Sequence, residues 1–208
     1  MPRFIACKNS SLAPPLLLHY IYSVKRKLAA ALLLIGMAVS VASAVDVDGK
    51  ILPGEYAREE SFDKGSFKLL WRIVGEKIFM AIDSEAKGWV SIGFEPSRIM
   101  ANSDMVFGFV EASGVVKAVD AWSTGMFGPH PADVDQGGKD SILSFAGLRT
   151  GNRVVFEFSR DLVTGDKSDK PIPAKGALKI IWAYSQSMGF NAKHSKAGSA
   201  TLDMSGSN

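Results

Sequence analysis

"FKLLWRIVGEKIFMAID", residues 67–83, decides the fold of this chain. Two runs rich in Leu, Ile, Val, Phe and Trp, 67–74 and 77–83, are separated only by Gly75-Glu76. A two-residue, glycine-containing break between such runs predicts a β-hairpin. Further out the same pattern recurs. "GWVSIGFE" (88–95) follows a turn, and "DMVFGFVE" (104–111) and "GVVKAVDAW" (114–122) flank Ala112-Ser113. "SILSFAGLRT" (141–150) and "RVVFEFS" (153–159) are joined at Gly151-Asn152, and "ALKIIWAYS" (177–185) and "GSATLDM" (198–204) complete the set. Val154, Phe156 and Phe158 share one face of their run, as do Leu178, Ile180, Trp182 and Tyr184 of theirs. One short helical turn is expected after "SRDL" (159–162), and no longer window sustains a helical period. The prediction is an all-β protein, an antiparallel, immunoglobulin-like β-sandwich of about nine to eleven strands.

Two segments carry no strand signal: "PSRIMANS" (96–103) and "STGMFGPHPADVDQGGKD" (123–140). Long loops on a compact sandwich are often functional.

The N-terminus reads differently. "VKRKLAAALLLIGMAVSVASA" (24–44) has a basic start, an apolar run from Leu28 to Ala42 and a small-residue exit. These are the three parts of a secretory signal peptide, with cleavage expected after Ala44. The apolar run is too short for a good membrane span, so no stable membrane anchor is expected once it is removed. Residues 1–44 are thus a leader and signal, with translation expected to start at Val24. Residues 45–208 are one domain, periplasmic or secreted.

Arg3, Lys8, Lys25, Arg26 and Lys27 precede Val45, which leaves 19 basic against 21 acidic residues and a net charge of −2 in place of the whole chain's +3. That balance removes the main support for a nucleic-acid partner. The single cysteine, Cys7, also lies in the leader. The domain therefore has no disulfide, thiolate metal site or covalent haem attachment of its own.

Common catalytic motifs are missing: GxSxG, a Walker loop, GxGxxG and HExxH do not occur. No catalytic residue is assigned and no stand-alone enzyme is supported. "DVDQGGKD" (133–140) begins like a calcium loop, but Gly137 and Ser144 stand where ligands are needed, so it reads as a surface turn. His130, in "PHP", reads as a solvent-exposed loop residue. Met80 and Met105 lie in strands and read as core filler. Met100, in a loop, and His194, in "NAKHSKAGSATL" (191–202), could form an axial haem pair, a reading that spacing alone supports only weakly.

Three stretches together resemble the DOMON family. "GWVSIGFEPSRIMANSDMVFGFV" (88–110) carries its Gly-Trp-Val strand, then a methionine and an Asp four residues on. "FEFSRDLVTGDKSDKPI" (156–172) carries Arg160, Leu162, Thr164, Gly165, Asp166 and Asp169 in that family's order. "IIWAYS" (180–185) with His194 and Gly198 resembles its closing pattern, and "DGKILPGEY" (48–56) its bacterial opening. The resemblance covers nearly all of residues 45–208.

It implies a β-sandwich. In the family's cytochrome b-type members, the cytochrome domain of cellobiose dehydrogenase among them, a loop methionine and a loop histidine bind haem b. Those positions fall on Met100 and His194, as axial ligands of the haem iron. The sequence departs from the family at Ile99, where a small residue is frequent, and at Lys196-Ala197, where Arg-Gly is. The implied function is one-electron transfer with a redox partner protein, through a non-covalent haem b walled by Trp89, Phe94, Phe107, Trp182 and Tyr184. The two ligand loops, 96–103 and 186–197, are expected at one end of the sandwich. Two alternatives stay open: a haem-free module binding a sugar on exposed Trp71, Trp89 or Trp122, and an accessory subunit of a larger oxidoreductase.

Overall fold

The computed structural model describes residues 45–208; the leader, the signal segment, the Val24 start and Cys7 lie outside them. Ten strands form two five-stranded antiparallel sheets. The first sheet has the order β1 (Arg58–Phe62), β2 (Phe67–Val74), β3 (Lys77–Ser84), β8 (Arg153–Asp161), β7 (Ser144–Thr150). The second has the order β10 (Lys196–Asp203), β9 (Ala177–Tyr184), β4 (Trp89–Phe94), β5 (Asp104–Val110), β6 (Val116–Trp122). This is the expected sandwich. Among the described residues no helix is long and apolar enough to cross a membrane.

The hairpin at Gly75-Glu76 pairs Val74 with Lys77 and Trp71 with Met80. Alternate residues of β2, β3 and β8 face the second sheet: Leu69, Trp71, Met80, Ile82, Phe156 and Phe158 are all buried. Val90, Ile92, Phe94, Val106, Ile180 and Leu178 meet them from the other side. Each fully buried Leu, Ile, Val or Phe contributes about 1.5–3 kcal/mol. That interdigitation fixes the register, because a one-residue slip would turn every apolar side chain outward.

The structure differs from the sequence reading in three places. The strand β1, "REESF", has no apolar alternation; it is an edge strand whose charges discourage further pairing. No helical turn follows residues 159–162: β8 runs to Asp161 and the chain continues without helix to β9; among the described residues the short 3-10 turns are Asp63–Gly65 and Asp133–Gln136. Trp71 and Trp89 are not exposed: both are buried, and the Trp71 indole donates to Ser207 Oγ at 2.7 Å. A sugar platform built on those two rings is therefore excluded.

The strands β4 and β5 are buried along their whole length, on both faces. A sandwich sheet usually buries one face and wets the other. Something covers the outer face of the second sheet, and that cover forms the site.

Candidate functional site

Outward-facing residues of four neighbouring strands make an apolar floor. Ser91 and Gly93 come from β4, Met105 and Phe107 from β5, Ile181 and Ala183 from β9, Ala197 and Ser199 from β10. Trp89, Met105, Phe107, Phe109 and Ala121 form a buried cluster here, separate from the main core. Loops 95–103, 123–132 and 185–195 stand over this floor and enclose a cavity of about 1000 Å³. That volume lies at the top of the usual range for cofactor sites, roughly 300–1,000 Å³.

Room on the floor depends on Gly93. A Cβ there would meet Ser103 Oγ at 2.6 Å and Ile181 Cγ1 at 2.7 Å. Phe107 meets Trp89 edge to face with centroids 5.3 Å apart.

Met100 is half-buried and lines the cavity from the loop after β4. That loop is held tightly. Ser97 N donates to Ala101 O at 2.9 Å, Ala101 N to Arg98 O at 2.9 Å and Asn102 N to Ser123 O at 2.9 Å. Ile99 and Asn102 take left-handed backbone conformations, with φ of 55° and 56°. For a β-branched residue such as Ile99 this is strained, by about 1–3 kcal/mol, and persists only where the surroundings over-determine it. Ile99 thus occupies a conformation that favours glycine.

His194 is half-buried and lines the same cavity from the loop between β9 and β10. Ser195 N donates to Tyr184 O at 2.8 Å, Ser185 Oγ to Lys193 O at 3.2 Å and Gln186 N to Ser195 Oγ at 3.0 Å. Phe190 of this loop packs edge to face on Phe107, with centroids 5.1 Å apart.

The two loops do not leave from one end of the sandwich, as expected. The register pairs Phe94 with Ile180 and Val90 with Tyr184, so the Met100 loop leaves one end of the sheet and the His194 loop the other. They converge by folding inward over the face. The fold allows this because the floor is apolar and draws both loops onto it.

His130 is likewise not a solvated loop residue. It is half-buried, lines the cavity, and its ring lies 6.1 Å from that of Phe107. Its Nδ1 is buried and has no hydrogen-bond partner. Burial first, and the charge of His194 second, hold its pKa below the ordinary histidine value. The imidazoles from the two ends of the sheet therefore lie near enough to influence each other. Met105 is buried in a hydrophobic cluster, as expected of a strand methionine, and that cluster is the floor of the cavity. One cavity thus collects two methionines and two histidines, of which spacing and resemblance single out one of each.

Of the expected walls, Trp89 and Phe107 line the cavity, and Trp182 borders it while its indole packs on Phe62 and Phe67, at 5.4 and 5.1 Å. Phe94 and Tyr184 lie in the main core. Phe127 and Phe190, which sequence reading missed, line the cavity from loops. The only signal for them was an aromatic residue isolated among Gly, Pro and polar neighbours.

The DOMON domain family model matches residues 63–185. The chain is similar to DBH-like monooxygenase protein 1 of Mus musculus, with 30% identity over 152 residues, which cover 73% of this chain and 23% of that protein. It is also similar to the Homo sapiens DBH-like monooxygenase protein 1, with 31% identity over 121 residues, covering 58% of this chain and 19% of that protein. It therefore spans about a quarter or less of the length of these relatives. Among solved structures, the cytochrome domain of Myriococcum thermophilum cellobiose dehydrogenase shares the fold, with a TM-score of 0.54 at 10% identity over 72% of this chain and 83% of that one.

Proposed function

This chain belongs to the DOMON domain family, and we propose that its sheet-face cavity holds a b-type haem with Met100 and His194 as the axial pair. The observation that carries this reading is that Met100 and His194, 94 positions apart and on loops from opposite ends of the sheet, line one apolar cavity. The residues present fit the group. The cavity has the volume and apolar floor for a flat macrocycle, a thioether and an imidazole for iron, and Arg98 and Lys193 for carboxylates.

A haem so ligated would supply reversible one-electron transfer between ferric and ferrous iron. The chain's own residues do the rest. A thioether from Met100 would favour the reduced metal more than a second imidazole would. Met100 and His194 would both be engaged in holding the haem, which would then serve to pass electrons to or from a partner protein. Phe107, Trp89 and Phe190 exclude water. Export through the signal-like segment would place this chemistry in the periplasm or outside the cell.

A second reading has its own support: the chain matches only a fraction of proteins named monooxygenases. In that reading the domain is an accessory part of a larger oxidoreductase, with or without haem. One experiment separates the cytochrome reading from a haem-free accessory part. The purified chain is reconstituted with haemin and its spectrum recorded oxidised and reduced. A sharp low-spin Soret band that shifts on reduction supports the cytochrome reading. A colourless protein after reconstitution leaves the accessory reading.

A further inference from the structure

On the other side of β5 from Met105, between the two sheets, lies a second polar cluster. Asp104 of β5 and Asp120 of β6 face inward from one sheet, and Arg160 of β8 from the other. Loops bring Asp133, Asp166 and Asp169 to the same end. Carboxylate oxygens of Asp104, Asp120 and Asp169 lie within 4.8 Å of one another, and so do those of Asp133, Asp166 and Asp169. Asp169 joins the two groups.

Arg160 is the guanidinium that serves them. It is 1% exposed, donates from Nη1 to Asp104 Oδ2 at 2.8 Å, and reaches Asp169 Oδ2 from Nη2 at 3.6 Å. Asp104 Oδ2 also accepts from Lys170 N at 2.8 Å, Asp120 Oδ2 from Ser141 N at 2.8 Å, and Asp169 Oδ2 from Thr164 Oγ1. Those donors leave much unsatisfied. Asp104 Oδ1, Asp120 Oδ1, Asp169 Oδ1 and both oxygens of Asp133 are buried and accept no hydrogen bond from the protein. Asp133 is 0% exposed. It was expected on a surface turn; instead the 3-10 turn Asp133–Gln136 drives its carboxylate into the cluster.

A buried carboxylate without a partner costs several kcal/mol. Arg160 offsets one negative charge among five aspartates. Burial, as the largest cause, pushes Asp104 up to about 6, Asp133 to about 7 and Asp120 to about 8. The donors are all carboxylate oxygens, which select hard cations over transition metals. Carboxylates drawn from several segments suit calcium, which takes 6–8 oxygen ligands in flexible geometry, better than magnesium, which demands an octahedron.

We propose that Asp104, Asp120, Asp133 and Asp169, with Asp166 at the rim, form a calcium site that stitches loops 123–140 and 163–170 to this end of the sandwich. The ligands come from four separate segments, so no linear calcium-loop pattern announces them. The site does not depend on the haem reading.

The full chain is stripped with EDTA, dialysed free of chelator and titrated with CaCl2 by calorimetry. Thermal melting is recorded in EDTA and in CaCl2. One saturable site is expected, with melting raised by about 5–10 °C at a hundredfold excess over Kd. Asp133→Asn should weaken calcium binding at least tenfold. Asp135→Asn, exposed on the same turn, should leave it unchanged. The proposal is overturned if calcium gives no saturable heat and melting is the same in EDTA and CaCl2. It is equally overturned if magnesium binds and calcium does not, or if both variants lose affinity alike. Should Asp133→Asn not fold, the wild-type melting comparison decides by itself.

Discussion

Phe107 and Phe190 meet edge to face, centroids 5.1 Å apart at 86°, although one stands in the middle of β5 and the other in the loop that carries His194. The contact pins the histidine loop to the cavity floor. An aromatic pair of this geometry is worth about 0.5–1.5 kcal/mol beyond its buried area. Phe190→Ala should therefore free the loop while sparing the sandwich. Amide exchange of residues 186–195 should accelerate several-fold, with β2, β3 and β8 unchanged. Unchanged protection of that loop would show that its backbone bonds, not Phe190, hold it.

The four side chains in the cavity can be told apart by substitution. His194→Ala should lose most of the haem, and Met100→Leu should abolish the low-spin spectrum. Met105→Leu should leave the spectrum nearly unchanged, because its thioether packs on the floor beside Phe107. His130→Phe keeps the ring contact with Phe107 and should also retain the low-spin bands. If Met105→Leu or His130→Phe abolishes those bands while Met100→Leu does not, the axial pair is drawn from the same cavity but wrongly assigned.

Gly93 sets the depth of the floor. Valine there would drive atoms into Ser103 and Ile181, for which a Cβ alone already comes within 2.6 and 2.7 Å. The expected loss is about 1–3 kcal/mol of stability, as for other overpacked positions. Haem uptake should fall more than stability does, measured as Soret absorbance per folded molecule. Full uptake by a destabilised Gly93→Val protein would place the ligand away from this part of the floor.

Glu157 holds the N-terminal strap. It is fully buried and accepts from Gly49 N at 2.6 Å, Asp48 N at 3.1 Å and Tyr56 Oη at 2.7 Å. In Glu157→Gln, one oxygen becomes an amide donor facing donors, which should cost about 1–3 kcal/mol. Residues 46–56 should then become sensitive to limited proteolysis. Burial raises the Glu157 pKa despite those three donors. Its folded value thus lies above its unfolded one, so its titration favours the fold fully below the unfolded value, near 4.5, and this contribution is lost as pH rises through the raised value. Denaturant unfolding at several pH values should show that decline, and Glu157→Gln should remove its share of it. A slope unaltered by the substitution would assign the decline to other carboxyls.

Strand positions were legible because their signal is local. Val154, Phe156 and Phe158 alternate, and the alternation survives as one face of β8 against β5. The edge strand Arg58–Phe62 was not legible, because its partner β2 supplies all its pairing and its own side chains bury little. Met100 and His194 were legible as a pair only through the resemblance.

The sequence by itself determined the antiparallel sandwich and its turns, since period-2 burial and glycine turns act between near neighbours. It also held, without revealing, that β4 and β5 are buried on both faces. Tertiary structure alone decided what the second face is for. Loops from opposite ends of the sheet close over it, which brings His130 beside His194 and Met105 beneath them both. On the opposite side of β5, the turn Asp133–Gln136 buries Asp133 among aspartates from three other segments. Such meetings depend on the packing of elements far apart in the chain, and no spacing within one segment encodes them.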